Sequence, residues 1–237
     1  MLAAAAVCPC PPLLVPEVAA GAAPELDAAR DACAEAIGVL VAARPDLLIV
    51  VGPADLPGRG PHPEGATGTF RGFGVGLGVR LGRDRGPVAD DTLPPSLSVG
   101  AWLLARAGWD GAPVEGLGVG EQLETDRCTS AGRDLATRAD RVALLVMGDG
   151  SACRTLKAPG YLDRRAEAFD AAAARALGAA DSDALTALDA SLAYELKAAG
   201  RAPWQVLAGA AQGARPAGRL LYEDAPYGVD YLVAAWS

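Results

Sequence analysis

The chain has 237 residues, of which 51% are hydrophobic and 21% charged, enough for one α/β domain with a substantial core and too apolar for wholesale disorder. Its formal net charge is −8 and its 21 lysines and arginines are scattered among acids, which argues against a nucleic-acid surface built on phosphate neutralisation. No apolar run approaches the length of a membrane span, and five cysteines in a chain of this size do not make a secreted disulfide framework.

The N-terminal stretch MLAAAAVC has no Lys or Arg ahead of it and is short for a signal peptide. Residues Leu2 to Val7 therefore read as a first β-strand, and cytoplasm is the expected compartment. The Pro-rich loop Pro9-Cys10-Pro11-Pro12 closes that strand. From Glu25 to Ala43, Leu26, Ala29, Cys33, Ile37 and Val41 recur at helical spacing, with Pro45 just beyond. Asp46 to Gly52 is a short apolar run that predicts a buried strand. The Gly/Pro-rich segment Pro53 to Gly68 follows, long enough to be functional. Thr69 to Leu81 places glycine at every second position, predicting one or two extended strands packed closely on a neighbour. A helix over Leu97 to Ala107, a strand over Val114 to Val119, a helix over Arg127 to Ala139 and a strand over Val142 to Met147 come next. Two or three helices are expected between Tyr161 and Ala211, with Pro203 near a helix start. Leu220 to Tyr222 and Tyr231 to Val233 read as a closing strand pair around Pro226-Tyr227-Gly228. Strands alternating with helices predict one α/β domain, with a mainly parallel central sheet and helices on both faces.

The apolar run ending at Met147 empties into Gly148-Asp149-Gly150-Ser151, and ligand chemistry in open α/β folds sits at such strand ends. The loop carries no Gly-Lys-Ser/Thr and no nucleophile elbow, and Gly72 to Gly78 lacks the strand-turn-helix context of a dinucleotide loop. His62 is the only histidine, so a two-histidine metal triad is excluded within one chain. Its Gly/Pro setting favours an exposed loop residue. Cys10 and Cys153 both follow strand ends and could share a cleft, as thiolate nucleophile, soft-metal pair or redox pair. The alternative is that they are small buried hydrophobes, which is favoured for Cys33 on an apolar helix face. Asp149, Glu223, Asp224, Arg154, Lys157 and Arg164 are further polar candidates. Capping suits Asp163, and a solvated surface suits Arg164 and Arg165.

Three stretches resemble one family. They are Val7-Cys8-Pro9-Cys10-Pro11-Pro12-Leu13-Leu14-Val15-Pro16-Glu17, Met147 through Asp170, and Tyr222 through Trp236 with its Ala225-Pro226-Tyr227-Gly228-Val229. The chain is similar to the catalytic B-subunits of class III extradiol ring-cleavage dioxygenases, and more closely to an alanine-rich actinobacterial branch of them. The resemblance implies an extradiol-dioxygenase-like α/β fold. In that family two histidines and a glutamate hold a non-haem Fe(II), a further histidine moves protons, and chelated catechols are cleaved beside their hydroxyls. Carried over residue by residue, the histidine positions fall on Cys10, Ala54 and Ala152, a degenerate set in which two side chains can neither ligate nor move a proton. Glu223 would be the relic of the carboxylate ligand.

The resulting expectation is a divergent member. It binds a small polar or aromatic molecule in a cleft at the strand ends, with iron-dependent ring cleavage lost and no cofactor. Cys10, Asp149, Cys153 and Glu223 are the candidate catalytic residues, and His62, Ser151, Arg154 and Tyr227 the candidate substrate contacts. Cys10, Ala54 and Ala152 should line one cleft at the carboxyl edge of one sheet. The Cys10 thiol pKa should fall if Arg154 or a helix N-terminus is near. Two alternatives stay open: a metal-dependent oxidoreductase, using Fe(II) or Zn at an unorthodox site including Cys10 and His62, and a non-catalytic binding or assembly scaffold. A small-molecule partner is expected, without nucleic acid or membrane, and homo-oligomerisation stays open.

Overall fold

The computed structural model describes residues 1–86 and 93–237. Its centre is a seven-stranded sheet in the order β3-β6-β2-β7-β1-β9-β8. Strands β1 (Leu2–Cys8), β2 (Leu47–Pro53), β6 (Val114–Val119) and β7 (Val142–Met147) run parallel in its interior. The short β3 (Gly60–His62) pairs antiparallel with β6, and β9 (Tyr231–Trp236) and β8 (Gly218–Asp224) close the other side antiparallel. A separate hairpin joins β4 (Thr67–Thr69) to β5 (Gly78–Arg80).

Side chains alternate across the sheet and fill two cores. Leu2, Val7, Ile49, Val51, Leu144, Val146 and Trp236 face α4 (Thr125–Ala136), α5 (Ala166–Ala179) and α8 (Arg201–Ala210). Ala4, Ala6, Cys8, Leu48, Val50, Leu145, Met147 and Val233 face α2 (Asp27–Ala43) and α3 (Pro95–Arg106). Strands buried on both faces read as continuous apolar runs, which is why β2 and β7 were legible. The alanines of β1 let α2 approach closely through Ala29, Ala32, Cys33 and Ala36. That helix ends where Arg44 turns left-handed, φ +46°, ahead of Pro45.

The fold is α/β, with a mixed, mostly parallel sheet flanked by helices. Several local expectations need correction. Gly72 to Leu77 is not strand: a 3-10 turn over Arg71–Phe73 and a left-handed Gly74 reverse the chain between β4 and β5, whose first residue is Gly78. His62 is not exposed; pairing with Gly116 of β6 buries it to 8% exposure. Residues 161–211 hold four helices, because α6 (Ser182–Thr186) and α7 (Ala190–Glu195) are short pieces between α5 and α8. The remaining helix, α1 (Pro16–Ala19), follows a 3-10 turn over Pro12–Leu14. No described helix is long and apolar enough to cross a membrane.

Candidate functional site

The four parallel strands end on one edge, where Pro9-Cys10, Ala54-Asp55, Gly120-Glu121 and Gly148-Asp149 leave β1, β2, β6 and β7. A cleft of about 160 Å³ opens there, lined by Cys10, Pro53 to Asp55, Pro95, Ser96 and Glu121. Ser96, in the first turn of α3, donates its hydroxyl to Pro53 O at 2.6 Å and ties that helix to the end of β2. Arg59 donates from Nε to Ala54 O at 3.2 Å and lies across Gly120, placing a cation at the rim that the sequence reading did not single out.

Cys10 is backed by Asp149. Its N–H donates to Asp149 Oδ1 at 2.8 Å and its thiol points to Oδ2 at 3.8 Å, while Gly200 N–H holds the Asp149 carbonyl at 2.8 Å. Burial pushes the half-buried Asp149 up to about 6, against the pull of the two Cys10 donors. The Cys10 thiol goes well above its ordinary value, first through burial and then through the negative charges of Asp149 and Glu121. The first turn of α3 lines the same cleft, but a helix dipole adds only a partial charge and does not reverse these terms. Arg154 is turned elsewhere. The expected fall in the thiol pKa is thus overturned: Cys10 is a neutral S–H donor at neutral pH, not a thiolate.

The remaining candidates scatter. Ala54 lines the cleft with Cys10, but Ala152 does not; its N–H donates to Leu196 O at 2.9 Å and its carbonyl accepts from Gly160 N–H at 2.8 Å. Cys153 is likewise drawn away from Cys10, its thiol donating to Leu196 O at 3.4 Å. His62 Nε2 lies 2.9 Å from Gly58 O. His62 is not among the residues that line the Cys10 cleft. Glu223 is exposed on β8, beyond β9 from β1. Tyr227 donates to Glu25 Oε2 at 2.9 Å and lines a separate cleft of about 520 Å³ with Thr155 to Lys157, Pro226 and Gly228. Asp163 accepts the Arg165 N–H at 2.9 Å and its guanidinium at 2.7 Å, just ahead of α5.

Ser151 and Arg154 belong to a buried network rather than to an open surface. Both groups bind Asp170, and Arg154 also reaches Asp230. Neither acid was singled out from the sequence. A signal existed for Asp170, which falls among Ala166, Phe169 and Ala173 on the buried face of α5. Arg201 is also buried, its guanidinium donating to the carbonyls of Leu123 and Glu121 and to Gln205 Oε1. It thereby fixes the strand-to-helix turn that presents Glu121.

The residues present do not fit an iron centre. Ala54 and Ala152 bring no donor atom, Ala152 stands outside the cleft, and no group of three or more His, Cys, Asp or Glu side chains among the described residues could hold a metal ion.

No family model matches the chain, and no curated protein is similar to it in sequence. Among solved structures, the crystal structure of an uncharacterized protein, JW3007 from Escherichia coli K12, superimposes with a TM-score of 0.58 at 14% identity, covering 99% of each chain. What this chain shares with that protein is the α/β fold, along essentially its whole length.

Proposed function

We propose that the chain is a divergent extradiol-dioxygenase-like protein. In this reading it binds one small polar or single-ring aromatic molecule in the cleft beside Cys10, without iron-dependent ring cleavage. The supporting observation is that Cys10, paired with Asp149 behind it, lines a cleft at the carboxyl edge of the sheet. About 160 Å³ suits one ring, since a cavity of roughly 150 Å³ holds benzene. Asp149, with a pKa near 6, is poised to accept or return a proton near neutrality. The Cys10 thiol offers a hydrogen bond rather than a nucleophile. Ligand hydroxyls would meet the Cys10 thiol, with Asp149 behind it as proton partner, and the Arg59 guanidinium at the rim suits an acidic substituent.

Titration calorimetry with catechol, protocatechuate and simple polyols tests the reading on wild type and Ala54→Phe. The expected result is saturable binding to wild type and none to the variant, whose ring fills the cleft, with unchanged circular dichroism showing that the variant folds. Equal binding to both would place the ligand elsewhere and sink the proposal. Oxygen uptake with protocatechuate should stay at background after Fe(II) addition; chelator-sensitive uptake would restore the dioxygenase. A docking role is the second reading, favoured by Leu156, Tyr161 and Leu162, all exposed on one loop.

A further inference from the structure

Behind the cleft, the loop that carries Asp149 is held from three sides. Gly150 N–H donates to Asp230 O at 2.8 Å, and Asp230 N–H returns a bond to Ser151 O at 2.9 Å. From α5, Asp170 accepts the Ser151 N–H on Oδ1 at 2.7 Å and the Ser151 hydroxyl on Oδ2 at 2.6 Å. Arg154 Nη1 bridges the two acids, 3.2 Å from Asp170 Oδ2 and 3.3 Å from Asp230 Oδ1. Both carboxyls are out of water, at 0% and 1% exposure.

Two buried carboxylates around one guanidinium cannot both ionise without leaving an uncompensated charge. The geometry says which one keeps the proton. Asp170 accepts three bonds, from the Ser151 N–H, the Ser151 hydroxyl and Arg154, which offset the upward push of its burial, so Asp170 is the ionised partner. Asp230 Oδ2 is buried with no hydrogen-bond partner among the described residues. The other charges facing Asp230 are Glu223 and Asp224 at the end of β8, both of the same sign, and only Arg154 opposes them. Burial first, then the Asp170 charge and these acids, push Asp230 up to about 7. There is no slack between the pair and the loop. A Cβ on Gly150 would stand 2.8 Å from Asp230 Cβ and 2.9 Å from Asp170 Oδ1.

We propose that Asp170 and Asp230 hold one proton between them, on Asp230 Oδ2, and that its loss loosens the loop presenting Asp149 to Cys10. This rests on the reading of the cleft as a ligand site and gives that site its regulation. Protonated, the cluster is neutral: Asp170 negative, Arg154 positive, Asp230 uncharged. Deprotonated, it carries a buried negative charge on an oxygen without a donor. Relief comes by admitting water or by drawing Arg154 away from Asp170, and either move disturbs residues 150–154.

Two measurements on the full chain, without ligand, test this. Carboxyl carbon resonances of aspartate-labelled protein should include one that titrates near pH 7 and is missing from Asp230→Asn. Amide hydrogen exchange of residues 148–154, corrected for its intrinsic pH dependence, should lose protection about fivefold over the unit below pH 7 and level off above it, as opening coupled to one proton requires. The same segment of Asp230→Asn should show no step near pH 7 and keep only the loss up to about pH 6 that Asp149 contributes. An Asp230 resonance titrating near pH 4 would overturn the shared proton. Equal exchange profiles in the two proteins would overturn the gating, as would, if the variant does not fold, a wild-type titration near 7 with flat protection. Neither readout involves a ligand, so failure here is separate from a failure of binding to distinguish wild type from Ala54→Phe.

Discussion

A buried thiol beside a carboxylate is a poor nucleophile, and Cys10 is both buried and paired. Iodoacetamide should therefore label Cys10 far more slowly at pH 8 than a free cysteine, whose pKa is about 8.5. Asp149→Asn removes the negative charge and turns an amide donor towards the sulfur, so the thiolate becomes easier to form. Labelling at a fixed pH should then accelerate by about tenfold, the equivalent of one pKa unit, as read by mass spectrometry of the labelled peptide. An unchanged rate would mean that burial alone controls the thiol. Cys10 and Asp149 were legible in the sequence because each follows an apolar run that had to be a strand. Asp230 and Arg201 were not, because their burial comes from distant segments: α5 and the 150–154 loop around Asp230, the β6–α4 turn around Arg201.

At the scale of elements, α4 and α8 meet backbone to backbone. A Cβ on Gly209 would stand 2.6 Å from Thr129 Cα, and one on Gly132 would strike Val206 O. Gly209→Ala should force the helices apart and cost about 2–3 kcal/mol in urea unfolding. Gly111→Ala, with open space around it, should change stability by less than about 0.5 kcal/mol. Similar losses at both positions would show that the helix contact is not tight. α8 also carries Arg201, so a displaced α8 would move the Glu121 turn at the cleft. The long elements followed from local pattern: β2, β6 and β7 as apolar runs, α2 from its helical spacing. β3 and the β4–β5 hairpin did not, since strands of three residues are set by their partners rather than by their own residues.

Over the whole molecule, burial raises three acids, Asp149, Asp170 and Asp230, and two of them hold their protons to much higher pH in the folded state than in the unfolded chain: Asp149 to about 6 and Asp230 to about 7. Unfolded, both release them near 3.9. Between those values the native state binds more protons, so these groups make stability fall as pH rises from about 4 to about 7, with no further loss above. The midpoint in urea should drop less steeply over that range in Asp230→Asn than in wild type; parallel curves would return Asp230 to an ordinary carboxyl. The sheet carries one more consequence. β1 is paired with β9, joining Ala5 to Trp236 and Val7 to Ala234, so two of the most buried strands meet across nearly the whole length of the chain. During synthesis, β1 leaves the ribosome before β9, a neighbour that emerges more than two hundred residues later. Its run of alanines, with little apolar surface to offer elsewhere, suits a strand whose two neighbours, β7 and β9, both emerge long after it.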